Sequence, residues 1–323
     1  MHLPILRELT VMDFRDDTIG DLQLGDVDIG QIFVPALAEL HVETHIRWYR
    51  VLHVGEDLQR FTGHSFPRQE ILASLMKNPN LKTCSLDYRE GEIITPLDAI
   101  SSGPIYFPNL IDFKLRWLPR FVNAHRLQDI IGRLRTPNIQ SLRIEPTVNG
   151  EGVNIIPAIS SWLHAGTARH LHTLYLVLGN FRTPGNQLLD LLVELPNLKD
   201  ITISGAMLGR DSIAAFNKNI NPDVCPALTR IMFDLCHQPL DPILEMLKSR
   251  LEPSQPFGAG NLERLEFNTD CARWAAEDGT TLSETKARDM VEGLKEIYLN
   301  FWPDIRLWIV DTSEEDTDED EDE

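Results

Sequence analysis

The sequence predicts an α/β solenoid, with a curved parallel sheet on its concave side and helices and irregular turns on its convex side. Two observations predict it. The pattern Pro-x-Φ-x-x-Φ-x-Φ, with Φ apolar, recurs nine times in the 323 residues, sometimes without its proline. Helix-period patterns with recognisable starts stand between the copies. A strand and a helix alternating once per ~30 residues is a unit that cannot bury its own apolar face, so neighbouring units must stack.

The clearest copies are Pro108, Leu110, Phe113, Leu115 and Pro137, Ile139, Leu142, Ile144. Three precede them: Pro4, Leu6, Leu9, Val11, then Pro35, Leu37, Leu40, Val42, then Pro79, Leu81, Cys84, Leu86. Four follow, at Leu171, Leu174, Leu176, then Leu198, Ile201, Ile203, then Leu228, Ile231, Phe233, then Leu262, Leu265, Phe267. From Pro79 onward the spacing holds at 27–34 residues, whereas 44 residues separate the second and third copies. Each copy ends on a period-2 apolar pair, which suits a short strand with one buried face.

The helical patterns lie between. Leu127, Ile130, Ile131 and Leu134 follow Asn123 as an N-cap. Leu188, Leu192 and Leu195 follow Thr183–Pro184, read as an N-cap and a proline at the first helical position. Asp241–Pro242 opens a segment with Leu244, Leu247 and Leu251, and Ser283 opens one with Met290, Val291 and Leu294. Residues 13–32 and 252–260 read as loops and 43–66 as the longest interruption, while Trp302, Ile305, Leu307 and Ile309 read as a closing cap. The repeats are thus expected to fill residues 1–310, and residues 311–323 to form a disordered acidic tail.

Bulk composition narrows the function. The four cysteines are scattered, with no CxxC pair, so neither a disulfide framework nor a zinc knuckle is expected. No basic leader or ~20-residue apolar run is present. The expectation is a reduced intracellular protein, cytoplasmic or nuclear, without a membrane partner. Ten acids and no base fall in residues 311–323, more than half of the net charge of −19. The rest is still acidic and carries no Lys/Arg cluster, which argues against nucleic acid as a partner.

No nucleophile elbow, phosphate-cradling glycine loop or His-Glu-x-x-His occurs, so neither catalysis nor a cofactor is expected. His41, Glu43 and His45 alternate along one strand and include the residue types of a non-haem iron site. Successive positions on one strand seldom converge on one ion, so they are read as polar strand-end residues and no metal is expected.

The repeat resembles the leucine-rich repeats, L-x-x-L-x-L, of the long irregular kind, and with its leading proline it looks most like the repeat region of fungal F-box/leucine-rich-repeat proteins. Cys236 fills the Asn/Cys position of that repeat, whereas Leu118 stands there in another copy. No F-box is recognised, because the chain opens inside a repeat at Leu3–Pro4. The resemblance therefore implies a truncated member or a repeat-only relative. It also implies the substrate-recognition part of a ubiquitin-ligase adaptor, with ligase core subunits as partners if an F-box lies upstream.

In a stacked solenoid the strand residues between the apolar positions point outward. The central copies would display Asp112, Lys114, Arg116, then Ser141, Arg143, Glu145, then Thr173, Tyr175, Val177. Glu39, His41, Asp87, Asp200, Thr202, Ser204, Arg230, Arg264 and Glu266 would flank them. Lys114, Arg116, Arg143 and Tyr175, with Asp112 and Glu145, form a basic and aromatic centre bordered by acid, and Arg and Tyr are common interface anchors. The expected function is a non-catalytic protein–protein interaction module that binds through this face. The alternative is an acidic-tailed binder of histones or other basic proteins. Ser313 and Thr317 each precede an acid by three residues and are candidate phosphorylation sites.

Overall fold

The computed structural model of the chain describes residues 5–12, 32–43, 52–54, 56–66, 78–89, 104–118, 131–146, 154–164, 168–178, 182–236, 240–251, 262–268 and 306–310. One sheet of eleven strands organises them. These are β1 Glu8–Met12, β2 Glu39–Glu43, β3 Arg60–Phe66, β4 Thr83–Arg89, β5 Asp112–Leu118 and β6 Ser141–Pro146. They continue as β7 Thr173–Val177, β8 Asp200–Ser204, β9 Arg230–Asp234, β10 Arg264–Asn268 and β11 Arg306–Val310. Every pairing is parallel and the spatial order is the chain order.

The repeat sets the register. Phe113, Leu142, Leu174, Ile201, Ile231 and Leu265 stand level across six strands, and Leu115, Ile144, Leu176, Ile203, Phe233 and Phe267 do so two residues later. Every strand from β2 to β10 begins alike: two successive backbone N–H groups share one carbonyl of the preceding copy. Ile111 and Asp112 donate to the Lys82 carbonyl at 2.8 and 3.1 Å, and Gln140 and Ser141 donate to the Ile111 carbonyl at 2.8 and 3.0 Å. The turns before β4, β6 and β8 are held across copies as well, the first by the Asn80 side chain donating to the Glu56 carbonyl at 3.2 Å. The Asn138 side chain donates to the Pro108 carbonyl at 2.6 Å and the Asn197 side chain to the Arg169 carbonyl at 2.7 Å. Pro-Asn recurs because proline presets the turn and the amide reaches back one unit.

A second layer covers the apolar side of the sheet. It holds helices α1 Ile156–Trp162, α2 Gly185–Val193, α3 Arg210–Ala214 and α4 Leu240–Leu251. Three two-stranded parallel pieces accompany them, joining Ile32–Val34 to Leu52–Val54, Ile105–Tyr106 to Leu134–Arg135, and Arg182–Thr183 to Met207–Leu208. One core runs between the layers: Leu142, Ile144, Leu174 and Ile201 pack in a single cluster with Ile159, Trp162, Leu188, Leu192, Ile213 and Met246. Each such side chain contributes roughly 1.5–3 kcal/mol of burial. The buried Trp162 indole donates to the Leu134 carbonyl at 3.1 Å, so its polar edge is satisfied.

All nine predicted copies fall on strands of this sheet, and two further strands join them. The interruption predicted at 43–66 contains β3, with Leu58 and Phe61 buried in the apolar slots. Gly63 stands level with Val42 and Leu86, and its missing side chain hid the copy. The predicted C-terminal cap is β11, whose Leu307 and Ile309 pair with Leu265 and Phe267.

The helix starts also differ from expectation. The residue preceding α2 is Pro184, in extended conformation with ψ 130°, and Thr183 is not a cap. The pairing of Arg182–Thr183 with Met207–Leu208 draws Thr183 into a ladder, where its buried Oγ1 has no hydrogen-bond partner among the described residues. Leu134, expected to be helical, is buried in a two-residue strand. Helix α4 starts at Leu240, one residue before Asp241. The reading of 13–32 as loop ends at Ile32, which opens a short strand. The helix after Ser283, Asn123, the loop at 252–260 and the tail at 311–323 lie outside the described residues.

Candidate functional site: the polar face of the sheet

Alternation along β4–β7 turns Asp87, Lys114, Arg116, Arg143, Glu145 and Tyr175 away from the core, and parallel strands at ~4.8 Å bring them side by side. Glu145 is the centre. It accepts Arg116 Nε at 3.2 Å, pairs with Lys114 Nζ at 3.5 Å, and hydrogen-bonds to Arg143 Nε on its own strand. Arg116 also reaches Asp87 on β4 at 3.5 Å, and Asp87 in turn holds His64 Nδ1 of β3 at 2.7 Å. The His64 ring meets His41 edge to face, with centroids 5.3 Å apart. On the other side the Arg143 guanidinium lies 4.0 Å over the centroid of the Tyr175 ring, a cation–π stack between β6 and β7.

Five of the six predicted site residues are thus joined in one network. Asp112 is half-buried at the start of β5, where no side-chain ion pair links it to the network. One expectation is corrected here: Glu145 and Asp87 are not displayed but buried, each 7 % exposed. Thr202, Ser204 and Glu266 are buried as well. The reason is lateral. The short Asp87 and Glu145 carboxylates sit low among longer basic side chains of the adjacent strand, Lys114 and Arg116, while Thr202 lies level with Tyr175 and Met232, and Ser204 with Val177 and Asp234.

Charge follows from this arrangement. Burial by itself would raise the Glu145 carboxyl, but hydrogen bonds and charges from Arg143, Lys114 and Arg116 outweigh it and hold the group below the usual range. Burial pushes the Tyr175 phenol up, with Asp234 and Glu145 adding to it, against the lowering by Arg143. Arg143 and Arg116 keep 43 % and 41 % of their side chains exposed, and Lys114 30 %. The centre therefore presents guanidinium edges and a phenol over a concealed carboxylate.

A second network lies three strands away. Arg230 donates Nε and Nη2 to the two oxygens of Glu266 at 3.0 and 3.1 Å, and Nη1 to Asp200 at 2.9 Å. Arg264 also pairs with Glu266. Glu266 and Asp200 together hold the Arg230 guanidinium above its usual value despite partial burial. Each of the three Arg230 nitrogens thus rests on a carboxylate, whereas among the described residues Lys114, Arg116 and Arg143 share Glu145 and Asp87.

His64 is the site residue that the sequence reading missed, because its strand was not recognised behind Gly63. His45 lies outside the described residues, and His41 faces His64 across the ladder. Among the described residues no group of three His, Cys, Asp or Glu side chains is placed to hold a metal, and no helix is long and apolar enough to cross a membrane. Ser313 and Thr317 lie outside the described residues. No protein-family model matches the chain, and no curated protein matches it.

Proposed function

We propose that the chain is a non-catalytic leucine-rich-repeat protein that binds a protein partner through the polar face of its sheet, with Arg116, Arg143, Lys114 and Tyr175 as the anchoring centre. One observation carries the reading. Three half-exposed cations gather on one buried carboxylate, and one of them is stacked on an aromatic ring. Such side chains are pre-organised by their neighbours, so less rotamer entropy is lost when a partner engages them. Arg and Tyr in that state carry interface energy out of proportion to their area. The level register of strands β4–β7 supports a continuous docking surface. Within this reading the resemblance to F-box/leucine-rich-repeat proteins makes a ubiquitin-ligase substrate receptor the particular role.

The test is affinity capture from lysate of the source cell with the 323-residue chain, its Arg116→Glu/Arg143→Glu form and a form lacking residues 311–323, read by mass spectrometry. A protein retained by the chain and lost only with the charge reversal supports the reading, provided far-UV circular dichroism shows both forms folded. Ligase core subunits in the same fraction support the receptor role. Captured proteins indifferent to the reversal sink it, and histones lost only with residues 311–323 replace it with the basic-protein reading.

A further inference from the structure

We propose that Ser204 on β8 and Asp234 on β9 are positioning residues of the anchoring centre. They hold the Tyr175 phenol in a directed hydrogen-bond chain, so that Tyr175 meets a partner as a hydrogen-bond acceptor only. The partner half of this inference rests on the reading of the polar face given above. The chain itself needs no partner and is tested without one.

The first support is the single proton that Ser204 owns. Its hydroxyl donates to Asp234 Oδ2 at 2.7 Å, and an ionised carboxylate can only accept. The same hydroxyl is hydrogen-bonded to the Tyr175 phenol. With its proton on Asp234, Ser204 has only lone pairs left for the phenol. The order is therefore Tyr175 O–H to Ser204 Oγ, then Ser204 O–H to Asp234. A phenol also carries one proton, so Tyr175 keeps only its oxygen lone pairs for a partner. The group it fits is an N–H or O–H donor.

The second support is register. Tyr175 stands level with Thr202, and Ser204 follows two residues along β8, level with Val177 on one side and Asp234 on the other. Alternation puts Tyr175, Ser204 and Asp234 on one side of the sheet. Diagonal neighbours on adjacent strands lie within reach of an aromatic side chain. Ser204 is 5 % exposed, so water has little access to its hydroxyl. From the opposite side Arg143 of β6 lies 4.0 Å over the Tyr175 ring. The ring is thus held from both flanking strands, by a guanidinium on its face and a hydroxyl on its polar end.

The third is electrostatic. The charged groups that act on the phenol are Arg143 and Glu145 from β6 and Asp234 from β9. Burial comes first and raises the phenol, Asp234 and Glu145 raise it further, and Arg143 opposes them. The phenol therefore keeps its proton at neutral pH, as a donor to Ser204 must. A chain that ends on an ionised carboxylate is charge-assisted at that end, and each bond polarises the one before it.

The test is the titration of Tyr175 in the 323-residue chain, read by NMR of ζ-carbon-labelled tyrosine, with Tyr175→Phe identifying its signal among the five tyrosines. Two opposite signs are at stake. If the phenol donates to Ser204, Ser204→Ala removes a bond that favours the protonated phenol, and the titration moves down. If Ser204 donates to the phenol, the same substitution moves it up. The expected result is the downward shift, with Ser204→Thr, which restores the hydroxyl, returning the signal toward wild type. An upward shift or an unmoved titration in folded Ser204→Ala overturns the chain, and so does a Ser204→Thr signal that coincides with that of Ser204→Ala. On the partner side, Tyr175→Phe removes the acceptor and keeps the ring. It is expected to lower capture of the protein that Arg116→Glu/Arg143→Glu loses by about 2- to 10-fold. Unchanged capture overturns the acceptor role. Absence of any charge-dependent capture sinks the partner reading, while the titration still decides the chain.

Discussion

Arg116 on β5 donates its Nε to Glu145 on β6 at 3.2 Å, and the two residues stand level in the ladder, one strand apart. Glu145 takes Arg143 and Lys114 as well, so one buried carboxylate holds three cations from two strands together.

Replacing that carboxylate exposes its role. Glu145→Gln keeps the shape but leaves three cations facing a neutral amide, and an expected loss of about 1–3 kcal/mol follows from the orphaned charge-assisted hydrogen bonds. A denaturant midpoint measures it. The pH dependence has a definite sign. The folded carboxyl titrates below its ordinary value of 4.5. Its stabilisation is therefore complete above that value and is lost as pH falls through the lower folded one, where the unfolded chain binds more protons. Wild type is expected to lose stability more steeply than Glu145→Gln in that acid window.

The Arg143–Tyr175 stack is measurable as a coupling. A double-mutant cycle with Arg143→Ala and Tyr175→Ala is expected to return about 0.5–1 kcal/mol for a half-exposed cation–π pair. Tyr175→Phe retains the ring and should retain most of the coupling. A cycle with no coupling refutes the stack as a stabilising contact.

Gly185 opens α2 against the backbone of Asp211. A Cβ built there would stand 2.5 Å from Asp211 Cβ and 2.6 Å from its carbonyl carbon. Helix propensity favours Gly185→Ala by up to about 1 kcal/mol, but overpacking against backbone costs about 1–3 kcal/mol, so destabilisation wins. Gly209, just before α3, has nothing within 4 Å of such a Cβ. Gly209→Ala is the tolerated control, and thermal melts of the pair decide between propensity and packing.

Three thiols are sealed in the core. Cys84, Cys225 and Cys236 are buried, and burial pushes the Cys225 thiol up to about 12 and the Cys84 thiol higher than its ordinary value. Cys236 donates to the Ile203 carbonyl of the preceding strand at 3.2 Å. A thiol reagent at neutral pH should leave these three unlabelled until denaturant is added. Rapid native labelling of any of them would contradict the packing, with Cys271 identified separately by peptide mapping.

Arg250 lies beyond the reach of sequence reading. It is 2 % exposed on α4, and its Nε donates to the Phe216 carbonyl at 2.7 Å while Nη1 has no hydrogen-bond partner among the described residues. Burial lowers its guanidinium to about 10. The sequence shows only a basic residue near a helix end, which would ordinarily be solvated.

The sequence alone determined the parallel sheet and its register. Φ-x-x-Φ-x-Φ repeated at a near-constant interval leaves one way to bury every apolar pair, which is to stack the strands level. Where a slot held glycine, as at Gly63, the period signal failed and the strand went unread. The polar face was legible as a list of residues and not as a site. Alternation says that Glu145 and Arg143 point to the same side. Only the tertiary structure decided that Glu145 lies buried beneath three cations, that His64 joins through Asp87, and that Arg230 bridges Asp200 and Glu266. These outcomes depend on side-chain length and lateral spacing between residues about thirty positions apart, and local sequence patterns carry no term for either.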